Sequence, residues 1–300
     1  MNKRPIAYTL LSLVAVATFG VFFANRSFSA GETTITELAK VTHFHEIAVD
    51  GNDSTRLYLA THHGLYRLTA GGGASRVSAS RDDFMGFTPH PSDPSILYAS
   101  GHPAGGGNLG FIASTDGGKS WAKLADGAGG PVDFHQMDVS KANPKVIYGV
   151  FGGLQRSADG GRTWSKVGPV PEGLIDIASS GEDADMLYAA TKNGLFKSID
   201  AGRSWQAAHT INRPATMVQI TGRGEVYAFI FGTGLLRADD GGVNWRLVSN
   251  AFDGAYVLHM AVDKKDGGKL YAVTLNPETR AQAVLISEDR GVSWTSLAAD

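Results

Sequence analysis

Cysteine is absent from the 300 residues. That excludes disulfides, thiolate-bound zinc and lipid attachment through an N-terminal cysteine. Runs of basic residues are absent as well, and the formal net charge is −2, so a nucleic-acid partner is not expected. Helical periodicity is lacking from residue 31 onward, which points to an all-β body. Tryptophan is scarce: there are five, and their placement carries most of the information in the chain.

One long apolar run is present, from Ile6 to Ala24, behind the basic pair Lys3 and Arg4. Residues 1–30 therefore read as a signal peptide or an N-terminal membrane anchor, with residues 31–300 as the exported body. Phe28 would stand third before a cut after Ala30, where a small residue is preferred, so an uncleaved anchor competes with full release. The body is expected outside the cytoplasm in both cases: periplasmic, extracellular or held at the outer side of the inner membrane. Without the first 30 residues the balance is 24 basic to 29 acidic side chains. A monomer is expected.

Each tryptophan ends the same eight-residue phrase. The copies run Ser114 to Trp121, Ser157 to Trp164, Ser198 to Trp205, Ala238 to Trp245 and Ser287 to Trp294, with Asp116, Asp159, Asp200, Asp240 and Asp289 at the third position. Successive tryptophans are 43, 41, 40 and 49 residues apart. A fixed period of this length signals one supersecondary unit per repeat. Each unit also holds an apolar stretch with tyrosine in one register, at Tyr58, Tyr98, Tyr148, Tyr188, Tyr227 and Tyr271. That makes six units, the first having lost the Trp phrase. Four short strands per unit then predict a six-bladed β-propeller. Residues 33–39 are expected to run as a strand against the outer edge of the last blade.

The Trp phrase resembles the Asp-box, or BNR repeat, of exported bacterial propellers in the sialidase and sortilin-like superfamily. Part of that group is provisionally labelled glycosyl hydrolases. The physics of the phrase is that of a hairpin, in which Asp and Ser side chains hold backbone N–H groups and Gly takes positive φ. Five copies at five turns fit a structural staple better than a catalytic role.

In an up-and-down blade the Trp-phrase turns occupy one face of the disc. The starts of the inner strands and the loops between second and third strands share the other. Aligned inner strands place His43, Asp83 and Asp133 in one column and His45, Met85 and His135 in another. Thr216 is aligned with His43. The second-to-third loops add His62, His63 and His102. Six of the nine histidines thus fall on one face of blades one to three, with His63 read as a turn residue. His43, His45, His62, His102 and His135 form a candidate metal set beside Asp83 and Asp133. His62, His102, Met85 and Met137 are candidate ligand contacts. Imidazole with carboxylate suits zinc, while the thioethers would favour copper. His90, His209 and His259 are read as structural, and the glycine-rich stretch 104–110 as a flap over the same face.

Three functions compete. The first is binding of a metal ion or small ligand through this histidine-rich face. The second is a glycoside hydrolase acting on a glycan through two of the carboxylates Glu46, Asp83, Asp133 and Asp176. The third is a protein-docking scaffold. A sialidase is excluded, because none of the aligned inner strands carries the arginines its substrate carboxylate requires. The only Arg-Pro pairs are Arg4-Pro5 and Arg213-Pro214.

Overall fold

The computed structural model describes residues 32–239 and 241–297; the expected export segment and Asp240 lie outside the described residues. Six antiparallel sheets each hold four strands in chain order. The first sheet also takes a fifth strand. Inner strands of successive blades touch in a closed ring, the last meeting the first. The protein is a six-bladed β-propeller. Among the described residues no helix is long and apolar enough to cross a membrane.

The tyrosine column forms the buried second strands: Tyr58, Tyr148, Tyr188 and Tyr227 are at most 1% exposed. Each ring fills the seam toward a neighbouring blade, where aromatic area contributes most. The Trp-phrase turns behave as staples. Ser157 Oγ donates to Asp159 Oδ1 at 2.8 Å and accepts from Gly161 N at 2.9 Å. Asp159 in turn accepts from the backbone and hydroxyl of Thr163, and these bonds hold its carboxyl at about 2. The same bonds recur at Asp116, Asp200 and Asp289. Gly160 N and Ala201 N donate to Lys145 O and Asp185 O. These bonds place the turns on the face where the inner strands end. The tryptophans are half-buried; Trp164 packs on Phe134 and Phe111 at ring separations of 4.8 and 5.1 Å.

The start of the body differs from expectation. Glu32–Thr34 is a strand, but it pairs with Gly73–Arg76 at the outer edge of the first blade, not the last. Ile35–Val41 is then a helix. Thr34 caps it by accepting from Glu37 N, the Thr-x-x-Glu signature of a helix start. Its buried Ile35 and Leu38 join one core cluster with Val284 and Leu297 of the last blade. Gln282 of that blade also accepts from Phe44 N at 3.0 Å and donates to Thr42 O at 3.3 Å. The ring is thus closed by direct packing of the first blade on the last, reinforced by a helix and one glutamine, and not by a shared sheet.

A β-bulge recurs near the start of the inner strands, at Phe44/Glu46, Phe84/Gly86, Leu174/Asp176, Ala215/Met217 and Val257/His259. A bulge leaves one extra residue unpaired and re-aims it. Here the extra residues are His45, Met85, Ile175, Thr216 and Leu258. Blade five is consequently shifted by two from the alignment above: Thr216 belongs with His45, and Met217 with Glu46.

Candidate functional site

Two adjacent seams of the ring carry the same arrangement. At the seam of blades one and two, His62 projects from the loop between strands Arg56–Thr61 and Gly64–Thr69. Thr61 Oγ1 fixes that loop by donating to Gly64 O and accepting from His63 N. His62 Nδ1 lies 2.6 Å from Oδ2 of Asp83, the first residue of the next inner strand. His45, the bulged residue, brings Nε2 to 3.0 Å from His62 Nδ1 and 3.3 Å from Asp83 Oδ1. At the seam of blades two and three, His102 Nε2 lies 2.8 Å from Asp133 Oδ2, and His135 Nε2 lies 2.6 Å from the same oxygen. In each trio the ligand-type atoms fall within 4.8 Å of one another.

Local backbone explains the placement. Asp83 pairs across the blade with His102, so one ladder supplies the acid of the first trio and an imidazole of the second. Gly101, between them in space, has φ +149° and would drive a Cβ to 1.9 Å from Asp83 O. Only glycine permits that approach. Ser100 Oγ accepts from Phe134 N and donates to Gly110 O, which sets the strand start bearing Asp133 and His135.

Electrostatics separate the two trios. Burial lowers the His45 pKa, against the raising effect of Asp83. Burial would raise Asp83, but the imidazoles of His45 and His62 beside it hold it below the ordinary carboxylate value. The Asp133 carboxylate raises His135. Asp83 Oδ1 and Asp133 Oδ1 are buried and have no hydrogen-bond partner among the described residues. His45 near Asp83 Oδ1 lacks hydrogen-bond geometry. A ring nitrogen of His102, Nδ1, lies 2.9 Å from Gly107 O. With its proton on Nδ1 the ring would turn the Nε2 lone pair to Asp133, the tautomer that a cation between them requires.

Other expected residues fall elsewhere. His43 lies outside both trios; its ring meets His62 edge-on at 5.4 Å and Gln282 at 3.4 Å. The bulge is the reason, since it breaks the two-residue alternation that would have put His43 and His45 on one side. Met85 is the bulged residue of blade two, and Met137 is buried in the core and lines the axial channel. Stretch 104–110 forms a turn, with Gly106 N donating to Pro103 O and Ala104 N to Asp82 Oδ1.

Of the four candidate acids, Asp83 and Asp133 belong to the trios, while Glu46 and Asp176 line the channel. Asp176 accepts from Ile177 N and Val218 N. Burial, then the charge of Glu46, raises it to about 7. His259, read above as structural, lines the same channel with Nδ1 3.5 Å from Glu46 Oε2. Its burial opposes protonation, but Glu46 and Asp176 raise its pKa overall. The signal was present in the alignment, where Glu46, Asp176 and His259 share a column.

No protein-family model and no curated relative matches the chain. Solved structures do. A GH74 xyloglucanase from Xanthomonas campestris aligns at 20% identity and TM-score 0.57, over 86% of this chain and 46% of that one. A GH74 enzyme from Niastella koreensis aligns at 16% and 0.60, over 85% and 45%. The chain thus spans under half the length of these enzymes. YCF48 from Cyanidioschyzon merolae aligns at 14% and 0.51, over 89% and 88%. At these identities the likeness shows the propeller fold.

Proposed function

We propose that this protein is an exported propeller of the Asp-box type that binds divalent metal ions, zinc foremost, at the two His/Asp trios of blades one to three. Residues 1–30 are the export or anchoring segment and 31–300 the propeller. The observation that supports this reading is the repetition: two successive seams each set two imidazoles against one carboxylate whose second oxygen is buried and unsatisfied. Ligands ~2.0–2.1 Å from a tetrahedral zinc lie ~3.3 Å apart, and the separations of 2.6–3.3 Å in the first trio need little adjustment. Three protein ligands per ion leave a position for water or a small molecule. The imidazole and carboxylate donors of each trio suit zinc.

The hydrolase reading has less support, because the four acids divide between two places and Asp176 is held by two backbone amides. Docking of a peptide, as the name of YCF48 bound to D1 peptide describes for that protein, has no groove here that singles it out. Calorimetric titration of EDTA-treated protein with zinc tests the metal reading. Two equivalents are expected, with Asp83→Asn and Asp133→Asn each removing one. Absence of zinc binding, or an unchanged stoichiometry in both variants, would sink it.

A further inference from the structure

The axial channel opens on the face opposite the histidine trios and holds a cavity of about 250 Å³. Its wall is built from the downstream halves of the inner strands and the turns that follow, including Val49, Pro89, Val139, Lys141 and Lys264. The floor is polar and the middle apolar. Glu46, Asp176 and His259 share the register farthest from the opening; Met217 stands in it as well, with Met137 and Met260 one residue downstream. Such a site, apolar with a few convergent polar groups, is the ordinary form of a small-molecule pocket.

The floor lacks positive charge. Glu46 accepts from Ile47 N and has only His259 near its other oxygen. Among the described residues no lysine or arginine pairs with Glu46 or Asp176, and His259 Nδ1 is buried without a hydrogen-bond partner. Above about pH 7, where Asp176 is ionised, two carboxylates face a single imidazole and at least one negative charge is unmatched, in surroundings where screening is weak. The rim carries both signs, with Lys141, Lys264 and Lys265 beside Asp50, Asp138 and Asp263. Lys264 Nζ donates to Pro91 O, and Lys141 pairs with Asp138. A single unmatched charge at the floor calls for a single positive charge on the ligand, and the balanced rim offers nothing to a second. The apolar middle suits an aliphatic body, and methionine adapts to varied shapes.

We propose that the axial cavity is a second ligand site, independent of the metal trios, for a small organic monocation. The amine head lies against Glu46 and Asp176, the apolar body along the three methionines, and the outer end carries no positive charge.

The test uses the full exported body in metal-free buffer at pH 8 and three probes of one chain length: hexylamine, hexanoate and hexane-1,6-diamine. Methionine-methyl NMR locates the binding. Hexylamine is expected to shift the Met137, Met217 and Met260 methyls and leave Met186 in place, with the diamine no tighter and hexanoate silent. Asp176→Asn should weaken hexylamine at least tenfold; the probe series on the unaltered protein decides the matter if that variant fails to fold. Equal shifts from hexanoate, tighter binding of the diamine, or no shift at these three methionines would overturn the proposal.

Discussion

Asp176 offers the sharpest test of the axial channel. Its carboxyl is raised from 3.8 to about 7, by burial first and by Glu46 second. The folded protein therefore keeps a proton that the unfolded chain has released, and stability falls as pH rises from about 4 to about 7. Each pKa unit corresponds to about 1.4 kcal/mol. Between pH 4.5 and 6.5 the native protein should lose roughly 2 to 3 kcal/mol that an uncharged residue would not lose. Asp176→Asn removes this titration. The amide keeps one acceptor for the two backbone N–H groups, so the variant also carries a pH-independent loss of about 1–3 kcal/mol. Urea unfolding of both proteins at pH 4.5, 5.5 and 6.5 separates the two effects. The variant should be clearly weaker at pH 4.5 and should recover most of the gap by pH 6.5, a relative change of roughly 5 °C in Tm. Titrating groups remote from the channel act equally on both proteins and cancel, whereas His259 and Glu46 are coupled to Asp176 and titrate differently in the variant. Parallel pH profiles would refute the reasoning, because they would mean that Asp176 ionises normally in the folded state.

Three further outcomes are expected. Protons compete with metal for imidazole, and Asp133 raises His135 while burial lowers His45; the trio of His102, Asp133 and His135 should thus lose zinc first as pH falls from 7.5 to 5.5, which zinc titration of Asp83→Asn against Asp133→Asn resolves. Ser157→Ala removes a 1% exposed hydroxyl that holds Gly161 N and Asp159, and should cost about 1–3 kcal/mol in denaturant unfolding with zinc binding intact. Leu38→Ala empties the contact between the N-terminal helix and the last blade, and should cost about 2–5 kcal/mol, with amide exchange at Phe44 and Gln282 accelerating more than at the seam of blades three and four.

The fold was legible because its signals are residue types with one use. Trp164 and its four counterparts mark turns, and Tyr148 and its five counterparts mark second strands; neither could be moved without emptying a seam. The helix was missed although Thr34 and Glu37 spell its start, because seven residues are too few for periodicity to register. The two-residue error at Thr216 has a different origin. A bulge adds a residue without altering the apolar run around it, so aligning hydrophobic positions alone cannot detect it. The same bulge removed His43 from the side shared with His45. His259 shows a third kind of limit: its column was correct, but its pairing with Glu46 depends on closure of the ring, which brings together residues more than two hundred positions apart.

The shortness of one loop gives the disc a direction. In blade three the second-to-third connection is Phe151-Gly152-Gly153, between the paired residues Val150 and Leu154. The equivalent stretch of blade one has four residues, from Thr61 to Gly64. Gly173 stands in the column of Asp83 and Asp133. The His/Asp pattern therefore stops after two seams, and an architecture of near-sixfold repetition carries its histidine chemistry in one sector of the rim. A globular partner centred on the axis would leave that sector at its margin, whereas a partner that must reach both trios has to approach from the side of blades one to three.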